Sequence, residues 1–157
     1  MRYEYAPDLQ EIAEEISMIL FPHVKLDRVR CFRSYGSSSR GTIARCHTIG
    51  KLMQKAMRVP AHYALEFLSE RFDKMDKEEQ VKTIIHELMH IPQSFGGGFR
   101  HHDHVCDENI ENNYIEYKKK RGVEKTDMMD EDIKESLTEK KEGGNNEKKS
   151  WKDFFQI

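Results

Sequence analysis

The sequence predicts an α+β domain over residues 1–120, in which a small antiparallel or mixed sheet packs on helices and a disordered tail follows. Apolar residues recur at helical spacing in two segments, and alternating apolar residues between those segments are typical of strands. After residue 120 the chain becomes strongly polar, and the mean hydropathy of −0.83 agrees with an unpacked portion. A length of 157 residues suffices for one domain with a buried core.

The chain opens with a predicted amphipathic helix. Its apolar residues repeat every three or four positions from Leu9 to Leu20, so one face of the helix can be buried. Pro7 stands near the start, where proline is tolerated, and Pro22 lies beyond the end. We expect this helix to pack on the sheet that follows.

Three strands and a short helix are predicted next. Alternating small or branched residues at 29–33 and 42–48 flank a Gly- and Ser-rich segment, which indicates a hairpin with a loose turn. A short helix is expected at 51–58. Alternation of large apolar residues with smaller or polar ones at 63–67 then predicts a third strand.

A second amphipathic helix is predicted before Pro92. Asp76 can cap its N-terminus, and Glu79 lies three residues later, where a capping box carries a carboxylate. The apolar face of this helix consists of Val81, Ile84, Ile85 and Leu88. Its polar face consists of Thr83, His86, Glu87 and His90. The helix can therefore bury one side and present polar side chains on the other.

The polar face carries the motif HExxH at residues 86–90. His86 and His90 are four residues apart, so both imidazoles can reach one ion, while Glu87 can hold a water molecule beside it. Two histidine ligands and one carboxylate base at this spacing are typical of zinc peptidases. We predict one zinc ion, with Glu87 as the catalytic base.

A catalytic zinc site normally has three protein ligands, so one more ligand must come from elsewhere in the chain. Gln93 and Gly96 stand where metzincins have a glycine and a histidine, which excludes that class. Three consecutive glycines, Gly96 to Gly98, form a glycine run, and the candidates that follow it are His101, His102 and His104. A glutamate on the next helix, Glu108 or Glu111, is the alternative.

Two residues are candidates for stabilising the negative charge that develops in the transition state. Arg100 and Tyr114 are the nearest plausible donors in sequence. For Arg100, a structural ion pair is the alternative role. Tyr114 belongs to a third predicted helix, from Asp103 through roughly Lys120.

Basic residues are concentrated between Lys25 and Arg58, where Asp27 is the single acid. Because aromatic residues are interleaved with them, this stretch is a candidate face for binding phosphates and stacking on bases. The predicted DNA contacts are Arg28, Arg30, Arg33, Arg40 and Arg45. The alternative is a sheet face whose charges are balanced by acids from other elements.

Location and redox state follow from the absence of certain patterns. No segment is apolar enough to span a membrane and no signal pattern is found, so we expect a cytoplasmic protein without membrane partners. Cys31, Cys46 and Cys106 lack CxxC spacing, which favours reduced thiols over disulfides.

The tail divides into a linker and a terminal peptide. Residues 121–147 are charged and nearly free of aromatics, which predicts a flexible linker. Residues 148–157 contain Trp151, Phe154 and Phe155 and resemble the sliding-clamp (PCNA) interaction peptide, although Lys148 stands at its glutamine position and Trp151 at its aliphatic one. The resemblance implies clamp binding, and docking on the domain's own surface is the alternative.

Residues 86–102, HELMHIPQSFGGGFRHH, resemble a metallopeptidase family of archaea and phages, a zincin-like group related to the SprT and Spartan proteases. That family shows HELxHI, then an aromatic and glycines, then Arg-x-His, which Arg100 and His102 match. The resemblance covers about residues 25–118. It implies a zincin-like fold, His102 as the third ligand, and a cleft bordered by the strand at 63–67, with which an extended substrate would pair.

Together these features predict a zinc metallopeptidase that hydrolyses peptide bonds with a zinc-activated water and Glu87 as the general base. The likeness to Spartan proteases, with the basic stretch and the tail, implies a DNA-repair role on DNA-bound or crosslinked proteins. Two other functions stay open. One is a zinc-stabilised DNA or clamp adaptor without catalysis, and the other is a peptidase that cuts one specific regulator.

Overall fold

A four-stranded mixed sheet forms the frame of the molecule, in a computed structural model that describes residues 1–127, with side chains described through residue 122. The strands are β1 (Arg2–Tyr5), β2 (Val29–Tyr35), β3 (Ala44–Thr48) and β4 (Tyr63–Leu68). Their order in the sheet is β1-β2-β4-β3. Strand β2 runs parallel to β4, whereas β1 is antiparallel to β2 and β3 is antiparallel to β4.

The described residues also form five α-helices. They are α1 (Pro7–Leu20), α2 (Lys51–Met57), α3 (Ser69–Phe72), α4 (Lys77–Met89) and α5 (Asp107–Asp127). The three longest, α1, α4 and α5, contact one another, and their apolar faces meet the sheet in one core. Fully buried members of this core include Ile16, Leu65, Phe67, Ile84, Leu88 and Tyr117. The α+β class predicted from the sequence is confirmed, and the sheet is of the mixed kind.

Helix α4 forms as its sequence predicts. The Asp76 carboxylate accepts a hydrogen bond from the Glu79 backbone N–H at 2.9 Å and so caps the first turn. The apolar residues of the predicted stripe, Val81, Ile84, Ile85 and Leu88, are all buried. The helix ends at Met89, and His90 is its C-cap. Helix α1 also has its predicted extent, and α2 lies where the short helix was expected.

The predicted hairpin is wrong, because β2 and β3 do not pair with each other. Strand β4 lies between them, with β2 on one side and β3 on the other. Its side chains are buried on both faces of the sheet, as Leu65 and Glu66 show, and such a strand belongs at the centre. The eight residues at 36–43 between β2 and β3 exceed the usual hairpin loop and can cross the intervening strand.

This topology also corrects the expected position of the substrate. Both edges of β4 are already paired, so it cannot accept an extended peptide along its length. Strand β3 pairs only with β4 and forms one edge of the sheet. Among the described strands, β3 is therefore the one beside the cleft that offers free backbone groups to a substrate.

Some elements extend or add to the prediction. Strand β1 and the one-turn helix α3 were not predicted, and α5 continues to Asp127 instead of ending near Lys120. Arg121 is 6% exposed and forms an ion pair with Glu15 of α1, so the packed part of the domain includes this residue.

Residues 128–147 of the predicted linker and the terminal peptide with Trp151, Phe154 and Phe155 lie outside the described residues. Within residues 1–127 no helix has the length and apolar character that crossing a bilayer requires.

Candidate metal centre

Three imidazoles converge at the C-terminal end of α4. His86 lies in the last turn of this helix, His90 is its C-cap, and His102 comes from the loop after the glycine run. One ring nitrogen from each can be chosen so that all three lie within 4.8 Å of one another. Among residues 1–122, no further histidine, cysteine or carboxylate joins this group. Three imidazole nitrogens form a donor set that suits zinc and neighbouring transition metals, with one coordination position left open.

The orientation of His90 is fixed by a hydrogen bond on the side away from this group. Its Nδ1–H donates to the backbone carbonyl of Arg100 at 2.7 Å. Because a carbonyl oxygen only accepts, the proton is on Nδ1 and the lone pair of Nε2 is free to bind an ion. The backbone N–H of Arg100 donates in turn to the carbonyl of His90 at 2.8 Å. The loop is thereby tied to the end of α4 immediately before His102.

The glycine run is held by two side chains from other elements. The Tyr63 hydroxyl accepts from the Gly97 N–H at 3.0 Å and donates to the Gly98 carbonyl at 2.9 Å. The amide of Gln54, in α2, donates to the carbonyls of Ile49 and Gly96 at 2.8 and 3.0 Å. Gly97 has φ of +96°, and a Cβ there would lie 2.3 Å from the Gln54 amide nitrogen. Only glycine fits this position without movement of the loop.

Burial changes the charge states of the site residues. Glu87 is 5% exposed, and desolvation raises the pKa of its carboxyl to about 7. Desolvation, together with the neighbouring imidazoles of His90 and His102, lowers the pKa of His86 to about 4. Desolvation also lowers the pKa of His90. These histidines are therefore neutral near pH 7, as ligation of a cation requires.

Two cavities meet at His86 and Glu87. The first, which we call the Ile43 cavity, has a volume of about 500 Å³ and is bordered by Ile43, Ala44, Met75 and Thr83. The second, the Arg100 cavity, has a volume of about 320 Å³ and is bordered by Ala44, Cys46, His90 and Arg100. In both cavities one wall is formed by α4, and the other is formed by β3 or by the residues just before it. Together they form a cleft that runs along the free edge of the sheet.

The other ligand candidates lie outside the group of three. His101 is exposed and borders the Arg100 cavity, and His104 lies one turn beyond it. Glu111 forms an ion pair with Lys82 at 2.6 Å, and Glu108 borders neither cavity. Of the candidates considered, the structure brings only His102 to the two histidines of the motif.

The two candidate charge stabilisers have different positions. Arg100 borders the cleft beside His86 and His90, and its guanidinium has no hydrogen bond or ion pair within the described part of the chain. Tyr114 is 3% exposed, lies under the ammonium groups of Lys82 and Lys118, and borders neither cavity. The structure therefore leaves Arg100 at the site and Tyr114 in the core.

The predicted DNA contacts do not form one free basic face. Arg33 makes a bidentate ion pair with Asp8 at 2.7 Å and also pairs with Asp73. Arg45 contacts the buried Glu66 at 3.3 Å. Arg28 lies over the ring of Phe95, Arg30 donates to backbone carbonyls, and Arg40 is exposed in the loop before β3. For Arg33 and Arg45, acids from other elements therefore balance the charge, as expected for the alternative to a DNA-binding face.

Several site residues could not be identified from the sequence. Gln54 and Tyr63 hold the glycine run, and Ile43 and Asp107 border the larger cavity. None of them belongs to a recognisable motif. Only Gly97 could be noticed in the sequence, because a run of three glycines indicates a turn or loop whose backbone conformation other residues adopt poorly.

One of the comparisons with known proteins identifies a family that covers nearly all of the chain. A family model described as "Putative phage metallopeptidase" matches residues 1–155. This match extends well beyond the residues 25–118 that carried the resemblance in the sequence. No curated protein and no solved structure matches the chain significantly.

Proposed function

Because the chain belongs to the phage metallopeptidase family, we propose that it hydrolyses peptide bonds with one zinc ion held by His86, His90 and His102. Family membership implies a peptidase that uses a metal ion. The observation that carries the finer assignment is the convergence of three imidazoles within 4.8 Å next to the buried Glu87. When bound, zinc supplies the Lewis acidity that makes water a nucleophile near neutral pH.

Glu87 acts as the general base and then as the general acid. Its carboxylate takes the proton from the attacking water and returns it to the nitrogen of the departing amine. Burial, which raises its pKa to about 7, brings this group close to the working pH of such an exchange. A cation held by the neighbouring imidazoles would favour the ionised form again, so that the base is available.

Arg100 stabilises the negative charge on the carbonyl oxygen of the transition state. Its guanidinium has no hydrogen bond or ion pair with any residue that the structure describes, and it borders the cleft next to His90. The backbone carbonyl of Arg100 accepts a hydrogen bond from the His90 imidazole, and its backbone N–H donates to the His90 carbonyl. These two bonds fix the position of the Arg100 Cα, from which the side chain extends. A guanidinium on a fixed backbone can be aimed at a developing oxyanion without large rearrangement.

The peptide substrate lies in extended form along the free edge of β3. The first part of this strand, with the residues just before it, forms one wall of the cleft opposite His86 and Glu87. Backbone hydrogen bonds to an edge strand are largely indifferent to side chains and bring the scissile bond past the carboxylate. A zincin-like arrangement, with a metal-bearing helix behind an edge strand, is supported by this geometry.

A zinc-stabilised adaptor without catalysis is the less favoured function. A structural zinc site is normally closed by four protein ligands, whereas the described residues supply three. Cleavage of one specific regulator is compatible with the same site. Clamp recruitment through Trp151, Phe154 and Phe155, and DNA contacts through the arginines, stay predictions.

The test is a comparison of wild type with Glu87→Gln, each assayed on peptides and for bound zinc, with and without single-stranded DNA. Loss of the base should lower kcat by roughly 10² to 10⁴-fold while zinc stays bound. Glu108→Gln, at an exposed acid that is the second residue of α5 and borders neither cavity, is the matched control. Equal activity of wild type and Glu87→Gln would eliminate the mechanism.

A further inference from the structure

The Ile43 cavity has the dimensions and the lining of a site for a long side chain. It begins at Glu87 and encloses about 500 Å³. Apolar side chains border it from three segments of the chain, with Ile43 in the loop before β3, Met75 in the loop before α4 and Ile110 on α5. The Glu87 carboxylate, 5% exposed and without a hydrogen bond in the described part of the chain, opens onto this space. The cavity is therefore continuous with the reacting groups.

Carboxylates outnumber cations where this cavity reaches solvent. Glu79, Asp107 and Glu111 border it, and Lys82 is the single basic residue among them. The Lys82 ammonium is already shared between Glu111 at 2.6 Å and Glu78 at 3.0 Å. Neither Glu79 nor Asp107 has an ion-pair partner among the described residues. Glu79 and Asp107 thus give the outer part of the cavity a negative charge that no ion pair within residues 1–122 neutralises.

The distance between His86 and Glu79, at the outer part of the cavity, matches the length of a basic side chain. Glu79 precedes His86 by seven residues on α4, which corresponds to two helical turns or about 10 Å. A lysine or arginine has an aliphatic stem that can cover apolar surface and a charged head that stays near water. Its stem would contact Ile43 and Met75, and its head would lie near the unpaired carboxylates.

Building on the proposed function, we infer that the Ile43 cavity binds the lysine or arginine side chain of the residue that follows the scissile bond. The side of the cut follows from the direction of β3. In the antiparallel pairing that this inference includes, the peptide would run from the Cys46 end of this strand toward its Ala44 end, where the Ile43 cavity lies. The residue after the cut is therefore the one that reaches the cavity.

Cleavage of matched peptides tests this inference first. The probes are copies of one host peptide of alanine, serine and glycine that carry lysine, arginine, norleucine or glutamate at a single central position. Norleucine keeps the aliphatic stem of lysine and lacks its charge. We expect the cut on the N-terminal side of lysine or arginine, with kcat/KM about fivefold above norleucine, because exposed ion pairs are individually weak. Glutamate should be cut least.

Binding without turnover gives a second, independent readout. Zinc-loaded Glu87→Gln is titrated with the fluorescently labelled lysine and norleucine peptides, and the ratio of the two Kd values is measured. Adding Asp107→Asn and Glu79→Gln should bring this ratio close to one. Adding Glu108→Gln instead should leave it unchanged, because this acid neighbours Asp107 in α5 and does not border the cavity.

The outcomes separate this inference from the peptidase assignment. Cleavage that ignores the lysine, or that follows it, overturns the inference and leaves the peptidase intact. A charge preference in binding by Glu87→Gln, with no cleavage of any peptide by wild type, supports the cavity assignment and contradicts peptide hydrolysis. A Kd ratio that persists after both carboxylates are removed also overturns the inference.

Discussion

His90 and Arg100 are hydrogen-bonded to each other twice, once through the His90 imidazole and once through their backbones. The imidazole bond selects the tautomer that leaves Nε2 free, and the backbone bond places the following loop against the end of α4. Since His102 is two residues after Arg100, the same pair of bonds orients one proposed ligand and positions another. The metal centre thus depends on the path of the glycine run that leads to Arg100.

Substitution of Gly97 should weaken metal binding without unfolding the domain. In Gly97→Ala the new methyl group would lie 2.3 Å from the Gln54 amide nitrogen and 2.6 Å from the Ile49 carbonyl, at a φ of +96° that alanine disfavours. The loop must move, and the support of His90 and His102 moves with it. We expect zinc affinity to fall roughly 10- to 100-fold, which is typical when a residue that orients a metal ligand is changed.

Gly98→Ala is the matched control for this experiment. No atom lies within 4 Å of a Cβ at Gly98, so the methyl group has room. Zinc affinity, measured by competition with a chromogenic chelator, should stay at the wild-type value. Equal affinities for Gly97→Ala and wild type would contradict the role assigned to the loop.

The choice of His102 over its neighbour can be tested by a pair of alanine variants. His102→Ala removes one of the three converging imidazoles. It should lower zinc affinity by more than about 100-fold, which exceeds the effect of changing a residue that only orients a ligand. His101→Ala should retain zinc, because the His101 imidazole is not part of the group. Bound zinc is measured by elemental analysis after gel filtration. The reverse pattern would transfer the ligand role to His101.

Removal of zinc should leave a folded protein. The buried core spans α1, α4, α5 and the sheet, and the three histidines do not belong to it. Chelation should therefore preserve the far-UV circular dichroism spectrum and lower Tm by the mass-action contribution of the bound ion alone. A zinc-dependent adaptor would instead lose its fold, as small domains built around structural zinc do. Circular dichroism melts of the chelated and reloaded protein distinguish the two.

Acid should selectively remove the contribution of the ion pair between Asp8 and Arg33. The hydrogen bond from Arg33 lowers the pKa of the Asp8 carboxyl below its ordinary value of 3.8. A depressed carboxyl pKa stabilises the fold fully above the ordinary value, and the effect is lost as the pH falls through the folded value. At pH 7, Asp8→Asn should cost about 1 kcal/mol, allowing for the partial exposure of the pair.

Urea unfolding at pH 7, 5 and 3 measures this dependence. The difference between wild type and Asp8→Asn should be equal at pH 7 and 5 and smaller at pH 3. Asp27→Asn, at an exposed acid without a described contact, should match wild type throughout. A difference that grows as the pH falls would contradict the assignment.

Local features were predictable from the sequence where a single segment contains all the relevant information. The extents of α1 and α4 follow from apolar spacing, and the Asp76 cap follows from residue type and position. The proximity of His86 and His90 is likewise a property of one helix. These features depend on contacts between residues a few positions apart, which the sequence displays directly.

Pairing between distant segments was not predictable in the same way. The position of β4 between β2 and β3 depends on which strand gains most from burial on both faces, and this is a property of the whole sheet. The selection of His102 required the loop to be held by Gln54 and Tyr63, which lie 48 and 39 positions before it. Such contacts leave no periodic signal.

Helix α2, which carries Gln54, has only seven residues and none of them is buried. Short, solvated helices of this kind open and close far more often than the core unfolds. Each opening would detach the amide from the Gly96 carbonyl and loosen the chain that leads to the third imidazole. Fraying of one peripheral helix would then limit the residence time of a cation at this site, and the cation could exchange with the medium while the interior of the molecule stays closed.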